Sequence, residues 1–127
     1  MIILKSAFQF HPLSENCHEN CYSFQWIVRA DLPYFEGHFI NQPILPAVAI
    51  IDANLELLKV INSQEMNLKQ IIFSKFLAPV TPKMIITIKI QKKSDGSWFF
   101  EWTDPKMSTL TQMTLFADLP IASAAKK

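Results

Sequence analysis

The sequence predicts an α+β domain in which one long central helix is wrapped by an antiparallel β-sheet. Three observations lead to this fold class. One long apolar stretch indicates a buried helix, the segments after it have β-type composition, and short polar turns separate them. With 127 residues, of which 50% are hydrophobic and 18% are charged, the chain suits one domain with one core. We expect that domain to span residues 1–127, with its core at residues 21–118.

Two strands and a loop are predicted before the helix. Residues 2–10 suit a lead-in strand, and residues 11–20 are polar and predict a turn. In residues 22–30, YSFQWIVRA, apolar and polar side chains alternate in part, which indicates a half-buried strand. Residues 31–43 contain proline and glycine and predict a loop.

The helix is predicted to begin near Pro46 and to end near Ile61. Proline is tolerated in a first helical turn because an N–H group there would have no intrahelical partner. The dipeptide at 62–63, Asn-Ser, suits the end of a helix. The polar positions of this helix are Asp52, Asn54, Glu56 and Lys59. Because the other positions are apolar on nearly all sides, we expect the helix to be buried.

Four β-type segments follow the helix. They cover residues 67–78, 83–92, 98–103 and 108–118, with turns at 94–97 and 104–105. One long helix with an antiparallel sheet in this order describes the hotdog fold. Such a sheet leaves the other helix face and its own edges uncovered, so we expect the protein to dimerise.

Charge and hydropathy argue against several classes of partner. The net charge is +1 with a single arginine, Arg29, which gives no global reason to expect nucleic acid or an anionic membrane. The longest apolar run, residues 44–51, is too short to span a membrane. The N-terminus lacks the basic region and long apolar region of a signal peptide. We therefore expect a cytoplasmic location.

One group of potential metal ligands lies near the N-terminus. It consists of His11, Cys17, His18 and Cys21. The two cysteines have C-x3-C spacing and no second pair exists, so support for a zinc site is weak. We expect a polar connector with two reduced thiols and no metal.

Residues 35–53 resemble a known family. Their pattern, F-x-G-H-F-x-x-x-P-I-x-P-x-V-x-x-x-D-A, is similar to the active-site segment of the FabA/FabZ-like 3-hydroxyacyl-[acyl-carrier-protein] dehydratases, which have the hotdog fold. The matching residues are Phe35, Gly37, His38, Phe39, Pro43, Ile44, Pro46, Val48, Asp52 and Ala53. Residues 73–90 resemble the strand, turn and strand that follow, and the resemblance spans most of residues 21–118. The stretches PYFEGHF and IIDA favour the aryl polyene, ApeI-like branch.

The resemblance implies a dehydratase that converts 3-hydroxyacyl thioesters on an acyl carrier protein into trans-2-enoyl thioesters. It implies no cofactor. His38 would remove a proton from C2, and Asp52 from the other subunit of a dimer would orient or protonate the C3 hydroxyl. The backbone N–H groups at Ala47 and Val48 would polarise the thioester carbonyl.

Apolar side chains and lysines complete the predicted site. The candidates for an acyl tunnel are Phe35, Phe39, Ile44 and Leu45, with ordinary core packing as the alternative for each. The candidates for contact with an acidic carrier protein are Lys75, Lys83, Lys89, Lys92 and Lys93, with a solvated strand face as the alternative.

The segment departs from the family pattern at three positions. The family usually has proline and glycine where this chain has Ile40 and Asn41, and glycine where it has Ala47. The Ala47 methyl group can crowd the acyl thioester, although its N–H group remains. These departures keep open a catalytically weak acyl-binding or assembly subunit.

A hotdog thioesterase is a further function that the sequence allows. Such an enzyme would use the helix acid to activate water or to attack the thioester, without requiring the loop histidine. The two polar residues also have purely structural interpretations. His38 would then cap the loop by bonding backbone groups, and Asp52 would belong to a polar stripe with Glu56 and Lys59.

Overall fold

The computed structural model describes residues 8–13, 19–35 and 43–119. Within these ranges the chain forms one α-helix, α1 (Ala47–Asn62), and a short 3₁₀ turn at Pro33–Phe35. The strands in the same ranges are β1 (His11–Pro12), β2 (Cys21–Ile27), β3 (Asn67–Phe76), β4 (Ile85–Lys92), β5 (Trp98–Thr103) and β6 (Thr109–Asp118). In this part of the chain, no helix has the length and apolar character needed to cross a membrane.

The strands form one antiparallel sheet in the order β1-β2-β4-β5-β6-β3. Helix α1 lies between β2 and β3 in sequence, so it takes the chain from one half of the sheet to its far edge. Alternate side chains of the central strands point to one apolar face. Opposite partners on that face include Ile88 with Trp102 and Phe100 with Met113, all almost fully buried. The predicted α+β hotdog fold is confirmed.

Helix α1 packs one of its faces on the apolar face of the sheet. Its buried residues are Ala49, Ile50, Ala53, Asn54, Leu57 and Leu58. It begins after Pro46 and ends at Ser63, whose left-handed backbone (φ 56°) terminates the helix. The prediction of burial on nearly all sides is wrong for the single chain, because Val48 and Val60 are 57% and 52% exposed. One sheet can cover only one side of a helix.

Asn54 is a polar side chain at the centre of the helix–sheet contact, and it is fully buried. Its Oδ1 accepts a hydrogen bond from Nε1 of Trp102 at 3.0 Å, and its Nδ2 donates to Sδ of Met113 at 3.5 Å. The amide therefore gives a partner to an indole N–H that is buried in the core. These bonds fix the position of α1 on β5 and β6.

Strand β3 forms a long edge of the sheet. It has ten residues, and its side chains are exposed apart from the half-buried Ile71. The large apolar side chains exposed on it are Leu68, Ile72, Phe73 and Phe76. The opposite edge, β1, has only two residues. A long open edge with apolar side chains is typical of contact with another chain.

The elements before α1 differ from those predicted. Residues 8–10 are not a strand, and residues 2–7 lie outside the described ranges. Strand β1 lies instead within the stretch predicted as a turn, where backbone pairing with β2 continues as the N–H of Leu13 donates to the carbonyl of Ser23 at 2.9 Å. Strand β2 ends at Ile27, three residues before the predicted end. Composition does not reveal such pairing, because polar residues can bond through their backbones as well as apolar ones.

We predict that Asn54→Leu lowers the free energy of unfolding by about 1–3 kcal/mol, because it leaves the Trp102 N–H buried without a partner. Urea denaturation at one fixed protein concentration measures this difference. Gln91→Leu, at an exposed position of β4 away from the β3 edge, is the control and should change stability by no more than about 0.5 kcal/mol. Equal stability of Asn54→Leu and the wild type would contradict the structural role of Asn54.

Candidate active site

Asp52 lies in the second turn of α1, at the border between the buried and exposed faces of the helix. Its side chain is half-buried, whereas the next two residues, Ala53 and Asn54, are buried. Val48, one turn earlier on the same side, is 57% exposed. The Asp52 carboxyl group therefore borders the face of α1 that the sheet leaves uncovered.

Tyr34 contacts the Asp52 carboxyl group. Its hydroxyl group donates a hydrogen bond to Oδ2 of Asp52 at 2.8 Å. Tyr34 lies in the 3₁₀ turn, where the N–H of Phe35 donates to the carbonyl of the buried Leu32 at 3.0 Å. The Tyr34 ring also packs on Phe8, with ring centroids 6.2 Å apart. The turn and the ring contact together direct the phenol toward α1.

The surroundings of Tyr34 favour its neutral form. Burial raises the pKa of Tyr34, and the hydrogen bond to Asp52 and the negative charge of that carboxylate raise it further. Tyr34 is therefore the donor and Asp52 the acceptor at neutral pH. Sequence reasoning missed this pair, because it joins a loop residue to a helix residue 18 positions later and no periodicity links the two.

The N-terminus of α1 presents backbone N–H groups. Pro46 precedes the helix without a side-chain cap, and its carbonyl accepts hydrogen bonds from the N–H groups of Ala49 at 3.0 Å and Ile50 at 3.3 Å. The N–H groups of Ala47 and Val48 come before the first intrahelical bond, so they can bond to an acceptor outside the helix. The helix dipole makes this end electropositive.

A cavity of about 380 Å³ opens beside this end of α1. The segment before the helix, its first turn, the end of β3 and the chain that follows β3 line the cavity. The lining residues are Ile44, Leu45, Pro46, Ala47, Ile50, Phe76, Leu77, Ala78, Pro79 and Val80. A hydrogen bond from the N–H of Leu45 to the carbonyl of Val80, at 2.8 Å, joins the two walls. An apolar cavity next to backbone donors suits a thioester with an apolar chain.

The cavity brings together three residues predicted to bind substrate, namely Ile44, Leu45 and Ala47. Val48 lies on the Asp52 side of the helix and does not line the cavity. Phe35 follows Tyr34 in the 3₁₀ turn and packs against the core.

The segment between Phe35 and Pro43 contains the remaining predicted residues. His38 and Phe39 lie outside the described residues, as do Ile40 and Asn41. The pairing of His38 with Asp52 therefore stays a prediction.

Two alternatives from the sequence concern a polar stripe on α1 and a metal site near the N-terminus. Lys59 forms a salt bridge with Glu65 at 2.7 Å, while the Asp52 carboxyl group accepts from Tyr34. Within the described ranges, no group of three or more His, Cys, Asp or Glu side chains is arranged to hold a metal ion. Cys17 and His18 lie outside those ranges.

The five lysines predicted to contact a carrier protein are all exposed. Lys75 and Lys83 flank the cavity-lining segment that runs from Phe76 to Val80. Lys92 and Lys93 lie over the rings of Trp98 and Phe99, at 5.4 and 5.5 Å from the centroids. Lys89 projects from the middle of β4.

Comparison with known proteins gives a family and a set of similar structures. The ApeI-like family, described as ApeI dehydratase, matches residues 14–113. The chain is similar to one from the dehydratase heterocomplex ApeI:P of Xenorhabdus doucetiae, with 22% identity and a TM-score of 0.72 over 86% of this chain and 97% of that one.

Two further structures are similar. An uncharacterized protein from Erwinia carotovora subsp. atroseptica has 20% identity and a TM-score of 0.73 over 89% of this chain and 98% of that one. The dehydratase domain from the CurF module of the curacin polyketide synthase has 14% identity and a TM-score of 0.67 over 90% of this chain and 45% of that one.

At these identities the structural similarity establishes the fold. The family match covers most of the chain and includes the whole segment 35–53 that carried the resemblance. The predicted recognition of a hotdog dehydratase of the ApeI-like branch is confirmed. This chain belongs to the ApeI-like family of hotdog dehydratases.

Proposed function

We propose that the protein dehydrates 3-hydroxyacyl thioesters, held by an acyl carrier protein, to trans-2-enoyl thioesters. The observation that carries this proposal is the position of Asp52, which Tyr34 holds one helical turn from the N–H groups that begin α1. In a member of a dehydratase family, that arrangement supports proton transfer next to a polarised thioester. The pathway would be fatty-acid or aryl polyene type lipid synthesis in the cytoplasm.

The proposed reaction uses one base and one acid. His38 takes the C2 proton, and the electrons of the broken C–H bond form the C2–C3 double bond. The C3–O bond breaks, and the hydroxyl group leaves as water with the proton of Asp52. A later proton transfer from the His38 imidazolium to the Asp52 carboxylate restores the starting state.

The start of α1 would bind the carbonyl oxygen of the thioester. Negative charge develops on this oxygen as the C2 proton leaves, and the N–H groups of Ala47 and Val48 can donate to it. Ala47 lines the cavity. Its methyl group therefore reduces the room for the thioester whose carbonyl its N–H group would bind. The cavity at this helix end would hold the chain attached to the thioester.

A second subunit would complete the site. Asp52 borders the uncovered face of α1, where Val48 is exposed, and a water-poor site requires that face to be covered. The long open edge of β3 can pair with the same strand of a second copy, which would continue the sheet and bury Ile72 and Phe73. We therefore propose a homodimer in which His38 of one protomer faces Asp52 of its partner.

Carrier contact would occur near the mouth of the cavity. Lys75 and Lys83 flank the segment that lines it, and their charges are exposed. Acyl carrier proteins are acidic, so these lysines would steer the carrier toward the cavity. Comparing a carrier-bound substrate with the same acyl group on free pantetheine measures what the carrier contributes.

A second candidate function is an assembly subunit with little activity of its own. The similarity to a chain of the ApeI:P heterocomplex favours it, because the β3 edge could equally pair with a different hotdog subunit. Ala47, at a position where the family usually has glycine, favours it as well. In that case the purified chain would bind the carrier or the acyl group without converting it.

We predict that the purified protein removes water from a 3-hydroxyacyl carrier substrate, and that His38→Ala and Asp52→Asn each lower kcat/KM by about 10²–10⁴-fold. Mass spectrometry of the carrier distinguishes loss of water from hydrolysis. Glu56→Gln, one turn beyond Asp52 on the same helix face, is the control and should retain activity.

The remaining outcomes of this assay each have a distinct meaning. Free thiol without an enoyl product would select the thioesterase. Saturable binding of the carrier without conversion would select the assembly subunit. Full activity of His38→Ala would contradict the assigned base.

We also predict that Ile72→Glu converts the dimer to a monomer and abolishes dehydration, because it places a charge in the β3 contact. Sedimentation velocity and the carrier assay measure the two effects. Ile27→Glu is a matched control, because Ile27 at the end of β2 is as exposed as Ile72, at 49%. A monomeric wild type that is fully active would contradict the shared site.

A further inference from the structure

We propose that Tyr34 is a positioning residue for the dehydration and acts through the carboxyl group of Asp52. The proposal rests on the proposed function and goes beyond it, because it assigns separate roles to the two carboxyl oxygens. Tyr34 engages Oδ2 at 2.8 Å, and we assign Oδ1 to the C3 hydroxyl of the substrate.

The surroundings of Tyr34 suit this role. The 3₁₀ turn holds its backbone, and Phe8 packs on its ring. Phe8 in turn packs on the buried Trp26, with ring centroids 5.5 Å apart. The Tyr34 ring is therefore held by contacts that lead to the core, and its hydroxyl group reaches the Asp52 carboxyl group from the core side of the helix. A carboxyl group with one oxygen held in this way cannot rotate freely about its terminal torsion.

The hydrogen bond gives Asp52 a defined direction for proton transfer. In the acid form that donates to the leaving hydroxyl group, Oδ2 of Asp52 would accept from Tyr34 and the proton would lie on Oδ1, toward the substrate. As that proton moves to the leaving hydroxyl, Asp52 becomes a carboxylate and the bond from Tyr34 becomes charge-assisted. The contact is then stronger in the transition state than in the ground state, so it lowers the barrier and leaves substrate binding unchanged.

A purely structural role would give different results. If Tyr34 only fastened the 3₁₀ turn to α1, its loss would change stability or substrate binding and would leave kcat unchanged. The chain has two tyrosines, and Tyr22 on β2, which packs on Trp98, provides a matched control.

The kinetic test uses Tyr34→Phe, which keeps the ring and removes only the hydroxyl group. We expect kcat to fall about tenfold with KM changed less than about twofold, whereas Tyr22→Phe leaves both unchanged. In an Asp52→Asn background, Tyr34→Phe should have no further effect on the residual rate, because no carboxylate forms there. Unchanged kcat in Tyr34→Phe, or the same loss in both backgrounds, would overturn the proposal.

An absorbance titration tests the pair without turnover. In Tyr22→Phe the only tyrosine is Tyr34, so the phenolate absorbance reports on that residue alone. Its pKa is raised by burial and by Asp52, so little phenolate should form near pH 10, the ordinary pKa of a tyrosine. Adding Asp52→Asn removes the negative charge and should shift the titration to lower pH, with circular dichroism confirming that the chain remains folded.

The two tests separate the possible failures. No enoyl product from the wild type would reject the proposed function and the positioning role with it, while the titration would still decide whether Tyr34 and Asp52 interact. If the wild type is active and Tyr34→Phe has the same kcat, the positioning role alone would be rejected. A titration that does not respond to Asp52→Asn would reject the pairing itself.

Discussion

A single sheet can cover only one face of a single helix, and the rest of the structure follows from that constraint. Helix α1 buries the face that contains Asn54 and leaves Val48 and Val60 exposed. Asp52 lies at the border between these faces, so its carboxyl group is anchored from the core side and open on the other. The sheet also leaves β3 as an open edge. The proposed site and the proposed assembly both depend on these uncovered surfaces.

Two side chains of this largely apolar helix form polar contacts with other elements. Asn54 pairs with Trp102 in the core and fixes how α1 sits on the sheet. Asp52, two residues earlier, pairs with Tyr34 of the 3₁₀ turn. Because the first contact sets the position of the helix, it also sets where the Asp52 carboxyl group and the helix N-terminus lie relative to the cavity.

Much of the fold could be predicted because its signals are local. Pro46 marks the start of α1, the end at 62–63 follows from its polar residues, and the tight turns separate β4, β5 and β6. The family pattern at 35–53 led to the dehydratase family, which the comparison confirmed.

The features that could not be predicted depend on contacts between residues distant in sequence. The bond between Tyr34 and Asp52 links a loop to a helix, and the burial of Asn54 depends on an indole N–H 48 positions away. Strand β1 forms through backbone pairing with β2. Neither hydrophobic periodicity nor β-propensity of its two residues predicts this pairing.

The proposed assembly requires that each active site combine two catalytic residues from different protomers. Mixing subunits of the inactive His38→Ala and Asp52→Asn variants tests it most directly, after exchange has been verified by mass spectrometry. Random pairing should restore about a quarter of the wild-type activity, because half of the dimers are mixed and each has one intact site. A mixture that exchanges subunits fully and remains inactive would contradict the shared active site.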